Sequence, residues 1–252
     1  MELTEQHYQR IHDLLPRQRG NVRVTNLDVL NAILYVAEHG CKWRGLPPRF
    51  GPWHTVYTRM KRWSESGVLA RVFAALQTRQ IVRLSIEAVA LDSTIIKVHP
   101  DGTGAPKKNG PQAIGKSRGG WTTKVHLVAA DARTAITFAL SPGQAHDATI
   151  GRELLQALGP PQRSVALLMD RAYEGDDTRQ LALHLGYQPV VPPKSNRLTP
   201  WQYDRALYKR RNEVERLFRR LKGYRRIFSR FEKLDIMFIG FLLFVLIVEG
   251  LR

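Results

Sequence analysis

Three acidic residues stand where a carboxylate could do chemistry. Asp92 lies inside the apolar, β-branched stretch 86–98, where a charge costs several kcal/mol unless it is paired or binds a cation. Asp170 directly follows an apolar strand-like segment, and Glu215 lies on a segment typical of a helix. If the three converge, their oxygens suit Mg²⁺ or Mn²⁺, which prefer hard oxygen ligands. The alternative for each acid alone is a strand-end or surface residue in a salt bridge.

The chemistry of such a site matches the charge of the chain. Two divalent ions about 3.5–4 Å apart can activate a water or a 3′ hydroxyl and stabilise the leaving oxygen in phosphodiester displacement. The chain has 39 Lys and Arg against 22 Asp and Glu, a net charge of +17, which indicates a polyanionic partner. Nucleic acid is favoured over membrane because aromatic residues are interleaved with the basic ones. The alternative is a solvated basic face.

The segment 208–222 is predicted to be one helix, because it has good helix formers and no Gly or Pro before residue 223. At about 100° per residue, Tyr208, Arg211, Glu215 and Lys222 share one narrow stripe beside a separate apolar stripe. Glu213 falls on the side that faces away from this stripe. If a carboxylate of this helix does chemistry, we therefore expect it to be Glu215. The other basic residues from Arg216 to Arg230 are interpreted as general DNA backbone contacts.

Several classes of protein are disfavoured. The single cysteine, Cys41, excludes an internal disulfide and a CxxC metal site, which fits a reducing compartment, and no secretory signal is recognisable, so a cytoplasmic protein is expected. The uncharged run 236–248 has 13 residues, short of the ~20 needed to cross a bilayer, and is interpreted as a core helix or an interface. No GxxxxGK[ST] pattern is present, so we expect no nucleotide cofactor.

The N-terminal part is predicted to be helical and basic. Predicted helices cover 4–15, 27–39 with a cap at Thr25 or Asn26 and a stop at Gly40, a third helix from His54 or Thr55, and a fourth over 68–76. Short helices with a basic third member suit a helix-turn-helix type of DNA reader, although small helical domains with surface arginines are common. The predicted DNA contacts of the third helix are Arg59, Lys61 and Arg62.

After residue 86 the period changes from helical to extended. Strands are predicted over 86–98, 121–131, 134–143, 164–170 and 187–193, with helices near 148–158 and 176–185. This order implies an α/β fold with a mixed sheet flanked by helices. The Gly- and Lys-rich stretch 101–120 is predicted to be a flexible loop. Its Lys107, Lys108, Lys116 and Arg118 are expected to contact phosphates, the alternative being a solvated loop.

The motifs resemble those of the DDE transposases of bacterial insertion sequences, in the insertion-sequence family five group. The signature of that group is Tyr, two residues, Arg, three residues, Glu, six residues, Lys, and it is met here by Tyr208, Arg211, Glu215 and Lys222. Further matching pieces are LDST at Asp92, GQAHD at 143–147, MDRAYEGD from Asp170, and FGPWHTVYTRMKRW in the N-terminal region. The resemblance spans nearly the whole chain.

The resemblance implies two domains, a small all-helical DNA-binding domain over 1–82 and a ribonuclease H-like catalytic domain over 83–252. It implies that Asp92, Asp170 and Glu215 are the catalytic triad that binds Mg²⁺ or Mn²⁺, with two ions expected. Tyr208, Arg211 and Lys222 would hold phosphates of the transposon end, and Arg171 is a further predicted DNA contact.

The expected function is therefore a metal-dependent DNA transposase that binds terminal inverted repeats, cleaves DNA at them and joins the 3′ end to target DNA. A homodimer or larger assembly on duplex DNA is expected, since two ends must be brought together, and the protein would be associated with the bacterial nucleoid. Two alternatives remain, a catalytically silent repressor derived from a transposase and a standalone nuclease. His146 and Asp147 could line the site or be structural residues of a turn.

Overall fold

The computed structural model of the chain describes residues 2–20, 22–81, 86–106 and 109–252, with the side chains of residues 80 and 81 excepted. The predicted domain boundary at residue 82 and the predicted phosphate contacts Lys107 and Lys108 lie outside the described residues.

In the part of the chain that the structure describes, four helices precede the first strand, and helices and strands are mixed after it, with short 3-10 turns between some of them. The helices are α1 (Glu5–Gln9), α2 (Asn26–His39), α3 (Trp53–Glu65), α4 (Val68–Ile81), α5 (Pro100–Thr103), α6 (Asp147–Leu158), α7 (Asp176–His184), α8 (Arg205–Tyr208), α9 (Asn212–Lys222), α10 (Arg225–Phe228) and α11 (Asp235–Leu251). The strands are β1 (Ala88–Val98), β2 (Gly115–Ser117), β3 (Gly120–Ala129), β4 (Ala135–Pro142), β5 (Val165–Met169), β6 (Tyr187–Val190) and β7 (Ser229–Arg230).

The chain divides into two compact units that are not contiguous in sequence. The first unit comprises Met1–Arg79, Val98–Gln112 and Arg220–Arg252, and the second comprises Gln80–Lys97 and Ala113–Arg219. The C-terminal helix α11 is thus part of the same unit as the N-terminal helices. The sequence-based division at residue 82 stays a prediction.

The first unit is built around the buried apolar helix α11, which packs on α3 and α2. Helix α2 begins and ends as predicted: Thr25 Oγ1 accepts a hydrogen bond from the backbone N–H of Asp28 at 3.1 Å, and Gly40 follows the helix with φ of 68°. Gly240 of α11 lies so close to Ser64 of α3 that a Cβ at residue 240 would collide with the Ser64 hydroxyl. Among the described residues, no helix has the length and apolar character needed to cross a membrane.

Two arginines of this unit contradict the interpretation of residues 216–230 as a run of DNA backbone contacts. Arg226 and Arg230 are buried. Arg226 Nη1 lies 3.0 Å from a carboxylate oxygen of Glu232, and Arg230 Nη2 lies 2.7 Å from one of Asp235. Because both guanidinium groups are buried and paired with carboxylates of the same unit, they are not available to contact DNA.

The second unit contains the mixed sheet. Its strand order is β2-β3-β1-β5-β6, and β4 also pairs with β3. Strands β1, β3 and β4 are antiparallel neighbours, whereas β5 is parallel to β1 and β6 is parallel to β5. Helices α6 and α7 cover an apolar face of the sheet, where Leu91, Leu155, Leu167 and Tyr173 are fully buried. This arrangement confirms the predicted α/β fold with a mixed sheet flanked by helices.

Two predictions of local structure are wrong in detail. The stretch 101–120 is not one flexible loop, because α5 lies at its start and β2 pairs with β3 at its end through a tight turn, with Gly120 at φ of 94°. The segment 208–222 is not one continuous α-helix, because a 3-10 turn, Lys209–Arg211, separates α8 from α9. Helix propensity does not distinguish i→i+3 from i→i+4 bonding, so the sequence does not reveal this turn.

Gly240 offers a test of the packing in the first unit. We expect Gly240→Ala to lower the free energy of unfolding by about 1–3 kcal/mol, because the added methyl group forces α11 away from α3. The matched control is Gly45→Ala, since a Cβ there would meet no atom within 4 Å. Chemical denaturation of both variants checks the difference, and equal stabilities would contradict the close packing.

Candidate active site

The pairing of β1 with β5 brings two of the predicted acids together. Leu91 and Met169 are paired residues in these parallel strands. Asp92 and Asp170 follow directly, so they occupy adjacent positions on strands about 4.8 Å apart. Asp92 accepts a hydrogen bond from the Ser93 N–H at 2.8 Å, and Asp170 accepts one from the Arg171 N–H at the start of a 3-10 turn. The two carboxylates are thus held by the backbone next to them.

Arg211 links the third acid to this pair. Its Nη1 lies 2.5 Å from Asp92 Oδ2, and its Nη2 lies 2.5 Å from Glu215 Oε1. Glu215 is one helical turn beyond Arg211, which is the spacing at which helical side chains meet. The guanidinium also lies 5.8 Å from the centre of the Tyr208 ring. Tyr208, Arg211 and Glu215 therefore meet as the wheel predicted, whereas Glu213 pairs with Arg216 at 3.4 Å.

The charge balance of this cluster is unfavourable for Asp92. The pKa of Asp92 is raised to about 6, chiefly by burial and also by the carboxylates of Asp170 and Glu215, against the lowering effects of the Ser93 N–H and Arg211. Three acids thus share a single guanidinium. A cation is the group that would relieve their repulsion.

The donor set fits a hard divalent ion chemically, because all three side chains offer carboxylate oxygens. In this conformation, however, no three His, Cys, Asp or Glu side chains of the described residues are grouped closely enough to hold a metal. The Arg211 guanidinium lies between Asp92 and Glu215. Metal binding by all three acids therefore requires Arg211 to leave this position.

The segment that leads to α8 is held by stacked arginines. The guanidinium carbons of Arg179 and Arg197 lie 3.5 Å and 4.5 Å from the centre of the Trp201 ring, and Trp201 Nε1 donates to the Val191 carbonyl at 2.8 Å. Arg197 Nε also donates to the buried Glu174 carboxylate at 3.1 Å. These contacts fix the approach to the helical segment that presents Tyr208, Arg211 and Glu215.

A second polar cluster, which sequence reasoning missed, lies on β3 and α6. His126 is paired with Ser93 across the strands, is fully buried, and lies 2.8 Å from Ser141 Oγ through Nε2. Asp147 begins α6 and forms an ion pair with Lys124 at 2.9 Å. Strand alternation places His126 and Lys124 on the same face, which was the available signal. Asp147 is thus a structural ion-pair partner of Lys124, in agreement with the structural alternative considered for it.

Tyr173 and His146 flank this region in different ways. Tyr173 is fully buried, and burial together with the carboxylates of Asp147, Asp92 and Asp170 raises its pKa. Gly151 of α6 makes room for its ring, since a Cβ at residue 151 would lie 2.6 Å from it. His146 is exposed before α6 and makes no capping hydrogen bond there.

Three other predicted DNA contacts lie in the second unit and are exposed, whereas Lys222 lies in the first unit. Arg171 follows Asp170 at the surface, Lys116 lies on β2, and Arg118 lies in the turn between β2 and β3. Lys222 ends α9, is half-buried, and has its pKa lowered by burial. Their roles as DNA contacts stay predictions.

The three basic residues predicted to bind DNA on α3 differ in environment. Arg62 is exposed, and Lys61 lies 3.7 Å from Glu65 in an exposed ion pair. Arg59 is half-buried, donates to the Val24 carbonyl at 2.9 Å and also donates to the Asn26 side chain. Arg59 is thus occupied by contacts within the unit.

Comparison with known protein families identifies the class of protein to which the chain belongs. The family model described as "Transposase DDE domain" matches residues 83–248, and that described as "Putative transposase of IS4/5 family" matches residues 3–73. The chain therefore belongs to the DDE transposase family, whose members generally use a divalent metal.

Two curated relatives are 32% identical to the chain. One is a putative transposase for insertion sequence element IS6501 of Brucella ovis, aligned over 48% of this chain and 91% of its own length. The other is the uncharacterized protein y4sN of Sinorhizobium fredii, aligned over 43% of this chain and 86% of its own length.

Solved structures with some likeness are also transposases. The piggyBac transposase synaptic complex with hairpin DNA has a TM-score of 0.39 at 11% identity, over 77% of this chain and 48% of that one. The Mos1 mariner paired end complex with Mn has a TM-score of 0.31 at 15% identity, over 92% of this chain and 75% of that one. The chain thus spans about half of the piggyBac chain, and both scores are too low to align individual residues.

The bridge made by Arg211 predicts a large effect on stability. Without metal, Arg211→Ala leaves Asp92 buried and unpaired, so we expect a loss of about 3 kcal/mol in the free energy of unfolding. Arg210→Ala is the matched control, because Arg210 pairs at 3.3 Å with the exposed Glu87, and such pairs contribute about 0–1 kcal/mol. Denaturation in the presence of a chelator measures both, and equal losses would argue against the bridge.

His126 predicts a pH-dependent contribution to stability. Burial lowers its pKa from 6.5 to about 4. Below pH 6.5 the unfolded chain therefore binds a proton at His126, whereas the imidazole of the folded protein stays neutral until the pH nears 4. About 3 kcal/mol of stability is lost as the pH falls to 4. Asp92, whose pKa is raised, contributes in the opposite direction, so the raw stability curve hides the effect.

The measurement is the difference in free energy of unfolding between the wild type and His126→Gln. Its value at pH 8, where the imidazole is neutral in both states, gives the packing cost of the substitution. We expect the advantage of the wild type to shrink from pH 6.5 to 4. A difference that stays constant with pH would contradict the buried neutral imidazole.

Proposed function

We propose that this chain is the transposase of an insertion sequence, which cuts DNA at the ends of its element and joins the 3′ hydroxyl to target DNA. The observation that carries the proposal is the placement of Asp92 and Asp170 at adjacent positions of parallel strands, with Glu215 joined to them through Arg211. Family membership supports the same reaction class.

In this proposal Asp92, Asp170 and Glu215 would hold two divalent metal ions, either Mg²⁺ or Mn²⁺. The bound metal would supply a Lewis acid that activates a water or a 3′ hydroxyl and stabilises the leaving oxygen. The carboxylates, once engaged by metal, no longer need the Arg211 guanidinium. Arg211 can then hold a DNA phosphate, for which its planar, permanently charged fork is suited.

The remaining predicted DNA contacts divide into groups by their place in the chain. In the second unit, Tyr208 and the exposed Arg171, Lys116 and Arg118 would contact the strand to be cut. The helical N-terminal region, over 1–82, would bind the terminal inverted repeats. Lys222 belongs to the same proposed phosphate set, and a dimer or larger assembly would hold two ends together.

The test exchanges each acid singly for its amide. We expect Asp92→Asn, Asp170→Asn and Glu215→Gln to reduce Mg²⁺-dependent cleavage of a duplex bearing the element's end to background, since an amide cannot replace an anionic metal ligand. Glu213→Gln is the matched control and should retain cleavage, because Glu213 lies on the same helix but outside the cluster.

Three measurements on these variants separate the possible functions. Binding of the end-bearing duplex in the presence of a chelator should persist in all of them. A wild type that binds but never cuts would favour a repressor, and one that cuts without joining would favour a nuclease. Cleavage that survives in any of the three amide variants would remove that residue from the triad.

A further inference from the structure

The first unit contains a groove lined by arginines, and none of the residues described in its lining belongs to the carboxylate cluster. Its volume is about 720 Å³, and five arginines line it: Arg17, Arg19, Arg23, Arg59 and Arg62. None of the described residues that line it is acidic. Five like charges around one groove repel each other, so the groove is suited to an anion that carries several charges.

One wall of the groove is the chain before α2, and it is fixed by hydrogen bonds. Gln18 Nε2 donates to the Val24 carbonyl at 2.9 Å, and Asn26 Nδ2 donates to the Pro16 carbonyl at 3.1 Å. Gly20 has a φ of 77°, which only glycine adopts readily. These bonds tie both ends of the wall together, so Arg17, Arg19 and Arg23 are presented from an anchored stretch of backbone.

The other wall is one face of α3. Thr55, Arg59, Arg62 and Ser66 recur at spacings of three and four residues, so they form a single stripe along the helix. Arg59 joins the two walls, because it donates to the Val24 carbonyl and stacks over Trp63 at 5.5 Å. Its contacts are thus structural, and the free ligand-binding capacity lies with the other four arginines.

Those four arginines are exposed and make no ion pair with any described residue. Lys61, by contrast, is outside the lining and has Glu65 as its partner. Guanidinium groups on two facing walls suit an extended chain of phosphates better than one small anion, because each wall can engage a different phosphate.

We propose that this groove binds the sugar-phosphate backbone of duplex DNA through Arg17, Arg19, Arg23 and Arg62. The inference rests on the proposed function for its ligand. Among the three predicted contacts on α3, it assigns DNA contact to Arg62 and support of the groove to Arg59, and it leaves Lys61 outside the groove. Since phosphates carry no base identity, the groove fixes the position of the protein on DNA and does not read its sequence.

The experiment measures binding of the full chain to two labelled duplexes, one bearing the element's end and one of random sequence, in a chelator. We expect the triple variant Arg17→Gln, Arg19→Gln, Arg23→Gln to bind both duplexes about tenfold or more weakly, by the same factor. The slope of log affinity against log salt should fall by about 0.9 for each lost phosphate contact. Arg62→Gln should lower this slope by about the amount of one phosphate contact, and Lys61→Gln should leave the slope unchanged.

Affinities of the triple variant and of Arg62→Gln that equal that of Lys61→Gln would overturn the groove proposal. A loss confined to the end-bearing duplex would overturn its assignment to the backbone. Thermal melts of each variant exclude misfolding, and Arg62→Gln tests the groove independently if the triple variant is unstable. Metal-dependent cleavage by the wild type is measured separately, so failure of the groove and failure of the transposase assignment are distinguishable.

Discussion

The electrostatic balance around Asp92 is the constraint on which the site depends. Asp92 is buried in a strand, with Asp170 at the adjacent position of the next strand and Glu215 on a nearby helix. One guanidinium, that of Arg211, neutralises part of this charge. Three carboxylates near one guanidinium repel each other, which lowers the stability of the fold. Such an arrangement is typical of a functional site, and here it favours the uptake of a further cation.

The rest of the second unit serves to hold these groups in place. The main-chain pairing of β1 with β5 ends at Leu91 and Met169, so Asp92 and Asp170 follow it side by side. Glu215 is held less directly, on a helix that follows a 3-10 turn and an approach fixed by the stacking of two arginines on Trp201. The first unit contains a basic groove with no acid among its described lining residues, so this groove and the carboxylate cluster differ in the sign of their charge.

The elements that present the three acids could be predicted from the sequence, because local composition and periodicity indicate them. The β-branched residues of 86–98 predicted β1, the apolar run before Asp170 predicted β5, and the 3.6-residue period separated Glu215 from Glu213. The bridge made by Arg211 was not predictable from periodicity, since it depends on which strand lies beside the helix. His126 was not predictable as a site residue, because a lone histidine in a strand has no signature of its own. The burial of Arg226 and Arg230 was not predictable either, because it depends on their pairing with Glu232 and Asp235 in the fold.

The central claim is that the carboxylates around Arg211 form a divalent metal site. Anomalous diffraction from crystals grown with Mn²⁺ tests it most directly, because it locates the ion without reference to activity. The account predicts an anomalous peak bound by Asp92 and Asp170, with Arg211 no longer between Asp92 and Glu215. A Mn²⁺ peak elsewhere in the chain, with Arg211 still bridging those two acids, would contradict it.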